Sequence, residues 1–181
     1  MSVPFAITFI NPENLIRQLT IAPGSVVVDF GCGSGYFSLA FAKAVGKEGK
    51  VISLDILPSA LDAVASRAKM AGFSQISTKR ANLEKENGSG LAPESADWII
   101  IKDVLFQNTN KEIILKEASR IMRSGGHILL MEWKDTDDSV GPDLHLRISR
   151  AELASLIQTA GFSIQRELSV GDFHYAFLLG K

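Results

Sequence analysis

Residues 26–39 read VVVDFGCGSGYFSL, and this stretch predicts how the surrounding chain folds. Three consecutive valines without polar alternation are typical of a strand buried on both faces, and Asp29 follows where that strand should end. Gly31, Gly33 and Gly35 then allow a sharp turn and let a ligand approach the backbone without meeting a Cβ. Apolar residues at helical spacing come next. The order strand, glycine loop, helix predicts a nucleotide-binding unit.

The spacing of the glycines narrows the classes of ligand that the loop could bind. A dinucleotide fingerprint requires G-x-G-x-x-G, and Tyr36 occupies the position of its third glycine. A P-loop requires Lys and then Ser or Thr after its last glycine, and this loop has neither. The carboxylate of Asp29 would repel pyrophosphate but attract an ammonium or sulfonium group. A phosphate ligand is therefore disfavoured, and so is a nicotinamide-dependent reductase.

The segment VVVDFGCGSG resembles the first motif of class I S-adenosylmethionine-dependent methyltransferases, D-x-G-x-G-x-G, with Asp29, Gly31, Gly33 and Gly35 at its fixed positions. The resemblance extends over nearly the whole chain and is to the small quinone- and arsenite-methylating branch. It implies one domain over residues 1–181, an α/β fold with a Rossmann-like seven-stranded sheet. The implied strand order is 3-2-1-4-5-7-6, with strand 7 antiparallel and helices on both faces.

Two polar residues after later strands are candidates for binding a nucleoside. Asp55 ends a second predicted strand, which a βαβ unit brings beside the glycine loop, and its carboxylate can accept hydrogen bonds from both ribose hydroxyls. The alternative is a cap residue ahead of Pro58. Asn82 follows a third predicted strand, where the resembled enzymes read the adenine amino group. Glu84 competes for that role, and an ordinary polar loop is the alternative.

The resemblance implies S-adenosyl-L-methionine as the cofactor. The main-chain carbonyl of Lys102 would then bind the cofactor's ammonium group. The full set of expected cofactor-binding residues is Asp29, Gly31, Cys32, Gly33, Asp55, Ile56, Asn82, Leu83 and Lys102. No metal is expected, because the single cysteine excludes a thiolate cluster and an internal disulfide framework.

A catalytic base is not required by the reaction itself. Methyl transfer from a sulfonium is an in-line displacement, and well-oriented proximity alone can lower the barrier by roughly 7 to 11 kcal/mol. A base would help if the acceptor is an oxygen or nitrogen acid. The unranked candidates are Asp103, Glu132, His145 and His174. Glu132 at a strand end is more typical of a solvated group, and a surface position is the favoured interpretation of His174.

Local signals predict several further element boundaries. Thr109 with Glu112 and Ser149 with Glu152 each form a capping box at a helix start. The last three predicted strands cover residues 127–131, 163–168 and 175–179. The apolar pattern in residues 1–22 predicts a short helix. In the enzymes that the chain resembles, such a segment often covers the active site as a lid. The alternative is that Phe5 and Phe9 only anchor a loose terminus.

Composition limits the partners. The chain has 181 residues, 46% of them hydrophobic, and a formal net charge of -1, which argues against a disordered chain and indicates no nucleic-acid partner. No apolar run reaches the roughly 18 residues of a membrane span, and the chain begins without a signal-peptide core. A cytoplasmic protein with a small-molecule partner is therefore expected, while its oligomeric state is not predicted.

Two hypotheses about function follow from these patterns. The first is an S-adenosylmethionine-dependent methyltransferase that acts on a small acceptor. The alternative is a non-catalytic module that binds S-adenosylmethionine or S-adenosylhomocysteine. A multi-thiol arsenic site is disfavoured by the single cysteine. Phe5, Phe9, Phe106 and Trp133 indicate an apolar or aromatic acceptor, although aromatic residues are equally ordinary in a core.

Overall fold

The computed structural model describes residues 9–136 and 140–181. The strands are β1 (Val26–Phe30), β2 (Lys50–Asp55), β3 (Ile76–Arg80), β4 (Ala96–Lys102), β5 (Met122–Trp133), β6 (Ser163–Leu168) and β7 (His174–Gly180). The helices are α1 (Pro12–Ile16), α2 (Tyr36–Val45), α3 (Pro58–Ala71), α4 (Lys111–Ile121) and α5 (Arg150–Thr159), with a 3₁₀ turn at Leu144–Leu146. None of these helices combines the length and the apolar character needed to cross a bilayer.

All seven strands form one sheet in the order β3-β2-β1-β4-β5-β7-β6. Neighbouring strands from β3 to β5 pair in parallel, whereas β7 is antiparallel to both β5 and β6. The predicted strand order and the antiparallel seventh strand are confirmed. β1 is an inner strand, with β2 on one side and β4 on the other, so its carboxyl end is the switch point of the sheet.

Helices cover both faces of the sheet, as predicted. Val27 belongs to an apolar cluster with Phe41 of α2, whereas its neighbour Val28 belongs to a second cluster with Ile114 of α4 and Leu153 of α5. All five side chains are fully buried. Successive residues of a strand point to opposite faces, so a strand covered on both sides needs apolar residues without alternation. This requirement explains the run of valines in β1.

The start of α4 differs from the prediction. Thr109 and Glu112 form no capping box, because the helix begins at Lys111 and follows Asn110, whose side chain makes no cap. The Glu84 carboxylate instead accepts hydrogen bonds from the backbone N–H groups of Thr109 and Asn110, both at 2.8 Å. A carboxylate distant in sequence therefore stabilises the positive end of this helix.

The other predicted boundaries agree more closely. The Ser149 hydroxyl accepts a hydrogen bond from the Glu152 amide at 3.1 Å, which confirms the capping box of α5. β6 covers the predicted residues, and β7 begins one residue earlier than predicted. β5 begins at Met122 rather than His127, because its first residue pairs with Ala96 across an irregularity in register.

A buried carboxylate ties the loop between β3 and β4 to α4. Glu117 is 3% exposed and accepts hydrogen bonds from the Ser89 amide at 3.0 Å and from the Ser89 hydroxyl. Nε of Arg120 donates to its other oxygen at 2.8 Å. Burial raises the pKa of Glu117, but the donors on Arg120 and Ser89 outweigh burial and hold the pKa below its ordinary value. The carboxylate is therefore ionised and paired at neutral pH.

We expect Glu117→Ala to lower the free energy of unfolding by roughly 3 kcal/mol, because it leaves a guanidinium and an amide without their buried partner. Urea unfolding at pH 7 measures the change. Glu112→Ala, on the exposed side of the same helix, is the matched control and should change stability by less than about 0.5 kcal/mol. Equal losses in both variants would contradict the role of the buried network.

Candidate active site

A cleft of about 900 Å³ opens at the carboxyl ends of β1 and β4. Its walls come from residues 9–13, the glycine loop, the first residues of α2, the ends of β4 and β5, and the start of β7. The structure thereby brings together seven residues predicted from the sequence, namely Asp29, Gly31, Cys32, Gly33, Lys102, Asp103 and His174. The cleft lies at the switch point, where open α/β sheets bind their ligands.

The glycine loop presents bare backbone to this cleft. Gly31 and Gly33 both have positive φ, at 66° and 49°. A Cβ on Gly31 would lie 2.6 Å from Cγ2 of Val104, so this glycine is required for packing. No atom lies within 4 Å of the corresponding point at Gly33. Gly33 therefore leaves open space beside the backbone, as a ligand cradle needs.

Asp55 joins the end of β2 to the glycine loop. Its Oδ2 accepts a hydrogen bond from the Gly33 amide at 3.0 Å, and its Oδ1 accepts one from the Leu57 amide at 3.0 Å. Asp55 is half-buried, and the adjacent Ile56 and Leu57 are 48% and 58% exposed. Asp55 and Ile56 are not among the cleft walls but adjoin them through Gly33. Asp55 thus acts as a turn residue and keeps free lone pairs for a ligand.

The residues after β3 lie outside the cleft walls. The Asn82 side-chain oxygen accepts a hydrogen bond from the Glu84 amide at 3.1 Å, and Leu83 is buried in the core. The Ala81 amide donates to the Asp55 carbonyl at 2.9 Å, so this turn is next to the end of β2. Adenine recognition by Asn82 or Leu83 stays a prediction, while Glu84 is engaged with α4.

Asp29 is a buried acid at the base of the cleft. It is 3% exposed and accepts a 2.5 Å hydrogen bond from the Ser38 hydroxyl, which itself accepts one from the Ser53 hydroxyl at 2.8 Å. Burial is the main cause that raises the pKa of Asp29 to about 7, and the charge of Asp55 adds to it. A cation in the cleft would favour the ionised form. Burial likewise raises the pKa of the Cys32 thiol, so this residue is not a reactive thiolate.

Asp103 connects the end of β4 with the start of β7. It has a φ of +55°, which is uncommon for a residue with a side chain, and its amide donates to the Met131 carbonyl at 3.0 Å. The Lys102 ammonium binds its carboxylate, and Nε2 of His174 lies 3.1 Å from its Oδ1. Burial raises the pKa of Asp103, but His174 and Lys102 outweigh burial and hold the pKa below its ordinary value. Asp103 is therefore an anion that faces two basic groups.

The surface position favoured for His174 is wrong. His174 is 7% exposed, begins β7 and pairs with Trp133 of β5. The two rings are in contact, with centroids 4.0 Å apart and planes tilted by 40°. The pairing of β5 with β7, which the resemblance implied, buries the imidazole, but the resemblance gave no register that would place His174 beside Trp133. His145, by contrast, is exposed on the 3₁₀ turn and is not among the cleft walls.

The solvated position favoured for Glu132 is also wrong. Its side chain is 0% exposed, because β7 covers this end of β5. Oε1 accepts a hydrogen bond from the Leu105 amide at 2.7 Å, while Oε2 has no partner among the described residues. Burial raises the pKa of Glu132 to about 8. Glu132 is not among the cleft walls, so it holds the turn after β4 rather than facing a ligand.

Two parts of the cleft wall were not assigned from the sequence. Tyr36, considered there only as a missing glycine, is 64% exposed at the cleft, and the Arg67 guanidinium lies 4.5 Å from its ring centre. Gln107 completes another wall. The segment before α1 also lines the cleft, and Phe9 lies 5.5 Å from Phe173 between ring centres. The lid role of this segment stays a prediction, and the other predicted lid residue, in position 5, lies outside the described residues.

Comparison with known proteins gives a family for this site. A family model described as a methyltransferase domain matches residues 21–161. The chain belongs to this methyltransferase family. A demethylmenaquinone methyltransferase of Bacillus subtilis is 27% identical over 120 residues, which cover 66% of this chain and 50% of the relative. A ubiquinone/menaquinone biosynthesis C-methyltransferase of Hydrogenovibrio crunogenus is 31% identical over 121 residues, with 67% and 47% covered.

The chain thus spans about half the length of the curated methyltransferases it matches. A solved structure described as a SAM-dependent methyltransferase from Aquifex aeolicus superposes with a TM-score of 0.86 at 20% identity. The match covers 94% of this chain and 89% of that one. The predicted resemblance to class I S-adenosylmethionine-dependent methyltransferases is therefore confirmed for family and fold.

The buried acid Glu132 makes a prediction about pH and stability. Its pKa is raised in the folded state, from 4.5 to about 8, so the folded chain binds the extra proton and loses stability as pH rises through this window. Glu132→Gln does not titrate. Its free energy of unfolding relative to wild type should therefore rise by roughly 4 kcal/mol between about pH 5 and pH 9. Urea unfolding across this range measures the difference.

Glu48→Gln is the control for this experiment, because Glu48 is exposed on the surface turn before β2. Its stability relative to wild type should stay constant over the same range. A constant difference for Glu132→Gln as well would show that Glu132 is ionised in the folded chain, contrary to the expectation from burial.

Proposed function

We propose that this chain binds S-adenosyl-L-methionine in the cleft and transfers its methyl group to a small-molecule acceptor. The observation that carries the proposal is the open backbone at Gly33, whose amide donates to the Asp55 carboxylate and which lines the same cleft as Asp29. Bare backbone flanked by two acids suits a ligand with hydroxyl donors and positive charge, and it does not suit a pyrophosphate. Membership of the methyltransferase family supports the same ligand.

The residues of the chain divide the binding task. Asp29 favours the cationic part of the ligand, and the Lys102 main-chain carbonyl accepts from its ammonium group. The free lone pairs of Asp55 accept from the ribose hydroxyls, and the exposed Ile56 provides apolar contact for the base. Asn82 reads the adenine amino group with Leu83 beside it. When bound, the cofactor supplies an electrophilic methyl group on a positively charged sulfur.

The proposed acceptor is a small, flat molecule of the quinone class. Phe9 and Trp133 contribute aromatic surface to the cleft on the side of Asp103, and the cleft is larger than a single nucleoside requires. Both curated relatives described above are named for methyl transfer in quinone biosynthesis, which supports this class. The acceptor would lie against the ends of β4, β5 and β7.

Calorimetric titration with S-adenosylmethionine tests the cofactor site. We expect Asp55→Ala to weaken binding by about ten- to a hundredfold, because hydrogen bonds to a charged group contribute about 1.5 to 3 kcal/mol. Asp62→Ala, on the exposed face of α3, is the matched control and should bind as wild type does. Equal affinity of Asp55→Ala and wild type would remove Asp55 from the site.

Transfer of a tritiated methyl group tests the reaction. We expect wild type to label reduced demethylmenaquinone carrying a short prenyl chain, and the organic phase of the quenched reaction measures the product. Asp62→Ala should label it at the wild-type rate. Tight cofactor binding without labelled product from this acceptor or from crude metabolite extract would instead favour the non-catalytic binding module.

A further inference from the structure

We propose that His174, positioned by Asp103, is the base that takes a proton from a weakly acidic hydroxyl of the methyl acceptor. The acceptor would therefore enter the cleft as a phenol or hydroquinone, not as a pre-formed nucleophile such as a thioether or a tertiary amine. This inference rests on the proposed function, because that function makes the cleft the binding site of a methyl acceptor. Its geometry rests on the described side chains alone.

The imidazole is oriented for this task. Nε2 lies 3.1 Å from Oδ1 and 3.4 Å from Oδ2 of Asp103, so a proton on Nε2 is directed at the carboxylate. The tautomer that fits this contact leaves the lone pair on Nδ1, and none of the side-chain hydrogen bonds found among residues 9–136 and 140–181 uses that atom. The Trp133 ring packs against the imidazole at an interplanar angle of 40°.

The backbone holds the carboxylate in place. Asp103 keeps its left-handed conformation because its amide donates to the Met131 carbonyl and its carbonyl accepts from Gln107 at 2.7 Å. Such a conformation costs on the order of 1 kcal/mol and persists only where the surroundings fix it. The left-handed backbone at Asp103 thus directs its carboxylate toward His174 and Lys102.

Charged residues of the neighbouring elements line the two cavities that His174 also lines. They are Lys102 and Asp103 at the end of β4, Lys134 and Asp135 after β5, Arg150 of α5 and Glu167 of β6. Asp29 and Glu13 face the same cleft. Asp103 is in direct contact with His174, and it stabilises the imidazolium that forms when the proton arrives. Lys102 shares this carboxylate and keeps it ionised.

The proposed step is a single proton transfer. The O–H bond of the acceptor breaks, an N–H bond forms at Nδ1, and the electron pair stays on the oxygen as a phenolate. His174 also contributes to the wall of a second cavity, of about 350 Å³, which is lined by polar residues that include Lys134 and Glu167. This cavity gives the imidazolium a route to return its proton to solvent, away from the acceptor.

The test uses 4-nitrophenol, whose anion absorbs visible light, so that proton transfer is measured without methyl transfer. At about pH 6 we expect wild type to convert part of the probe to bound phenolate. His174→Gln should lower the absorbance of the bound phenolate about tenfold, which corresponds to about 1.4 kcal/mol of lost interaction between the phenolate and the imidazolium. His145→Gln removes the exposed histidine and should retain the wild-type absorbance.

Asp103→Asn provides a second variant, because asparagine tolerates the left-handed backbone. As a positioning residue, Asp103 should fix the Nε2–H tautomer of His174, so we expect the nitrogen NMR signals of the imidazole to lose the pattern of a single tautomer in this variant. Equal phenolate absorbance in wild type and His174→Gln would overturn the proposal. So would a wild-type absorbance, at millimolar 4-nitrophenol, that does not exceed the absorbance of the free probe in the same buffer. Loss of S-adenosylmethionine binding in wild type, with the phenolate signal intact, would instead overturn the proposed function.

Discussion

The contact between Gly31 and Val104 sets the shape of the whole site. Any side chain at position 31 would lie 2.6 Å from Cγ2 of Val104, so the glycine loop after β1 packs directly on the turn after β4. The Leu105 amide of that turn donates a hydrogen bond to the buried Glu132 carboxylate, which fixes the turn in place. The glycine loop and the turn that carries Asp103 are thereby fixed relative to each other by packing rather than by a ligand.

The sequence predicts the part of the cleft formed by the glycine loop better than the part formed by β5 and β7. β1, the glycine loop and α2 are encoded by adjacent residues, and local patterns suffice to place Asp29, Gly31 and Gly33 at one strand end. The sheet order came from the resemblance, and the right-handed crossovers of parallel strands make its first half the natural solution. The elements that depend on residues close together in the sequence were therefore predictable.

The errors share one physical cause, which is contact between residues distant in sequence. Glu84 replaces the local cap expected from Thr109, because a loop after β3 lies against the start of α4. His174 and Glu132 are buried because β7 inserts beside β5. A lone histidine or glutamate at a strand end carries no local signal of such burial, and only the antiparallel register reveals it.

The raised pKa of Asp29 couples the binding of a cation in the cleft to the release of a proton. At neutral pH this carboxyl holds a proton about half of the time, because its pKa is about 7. Arrival of a positively charged molecule displaces that proton to the medium. Occupancy of the site and the acidity of its surroundings are consequently linked, so a more alkaline solution strengthens the capture of cations while neutral molecules gain nothing.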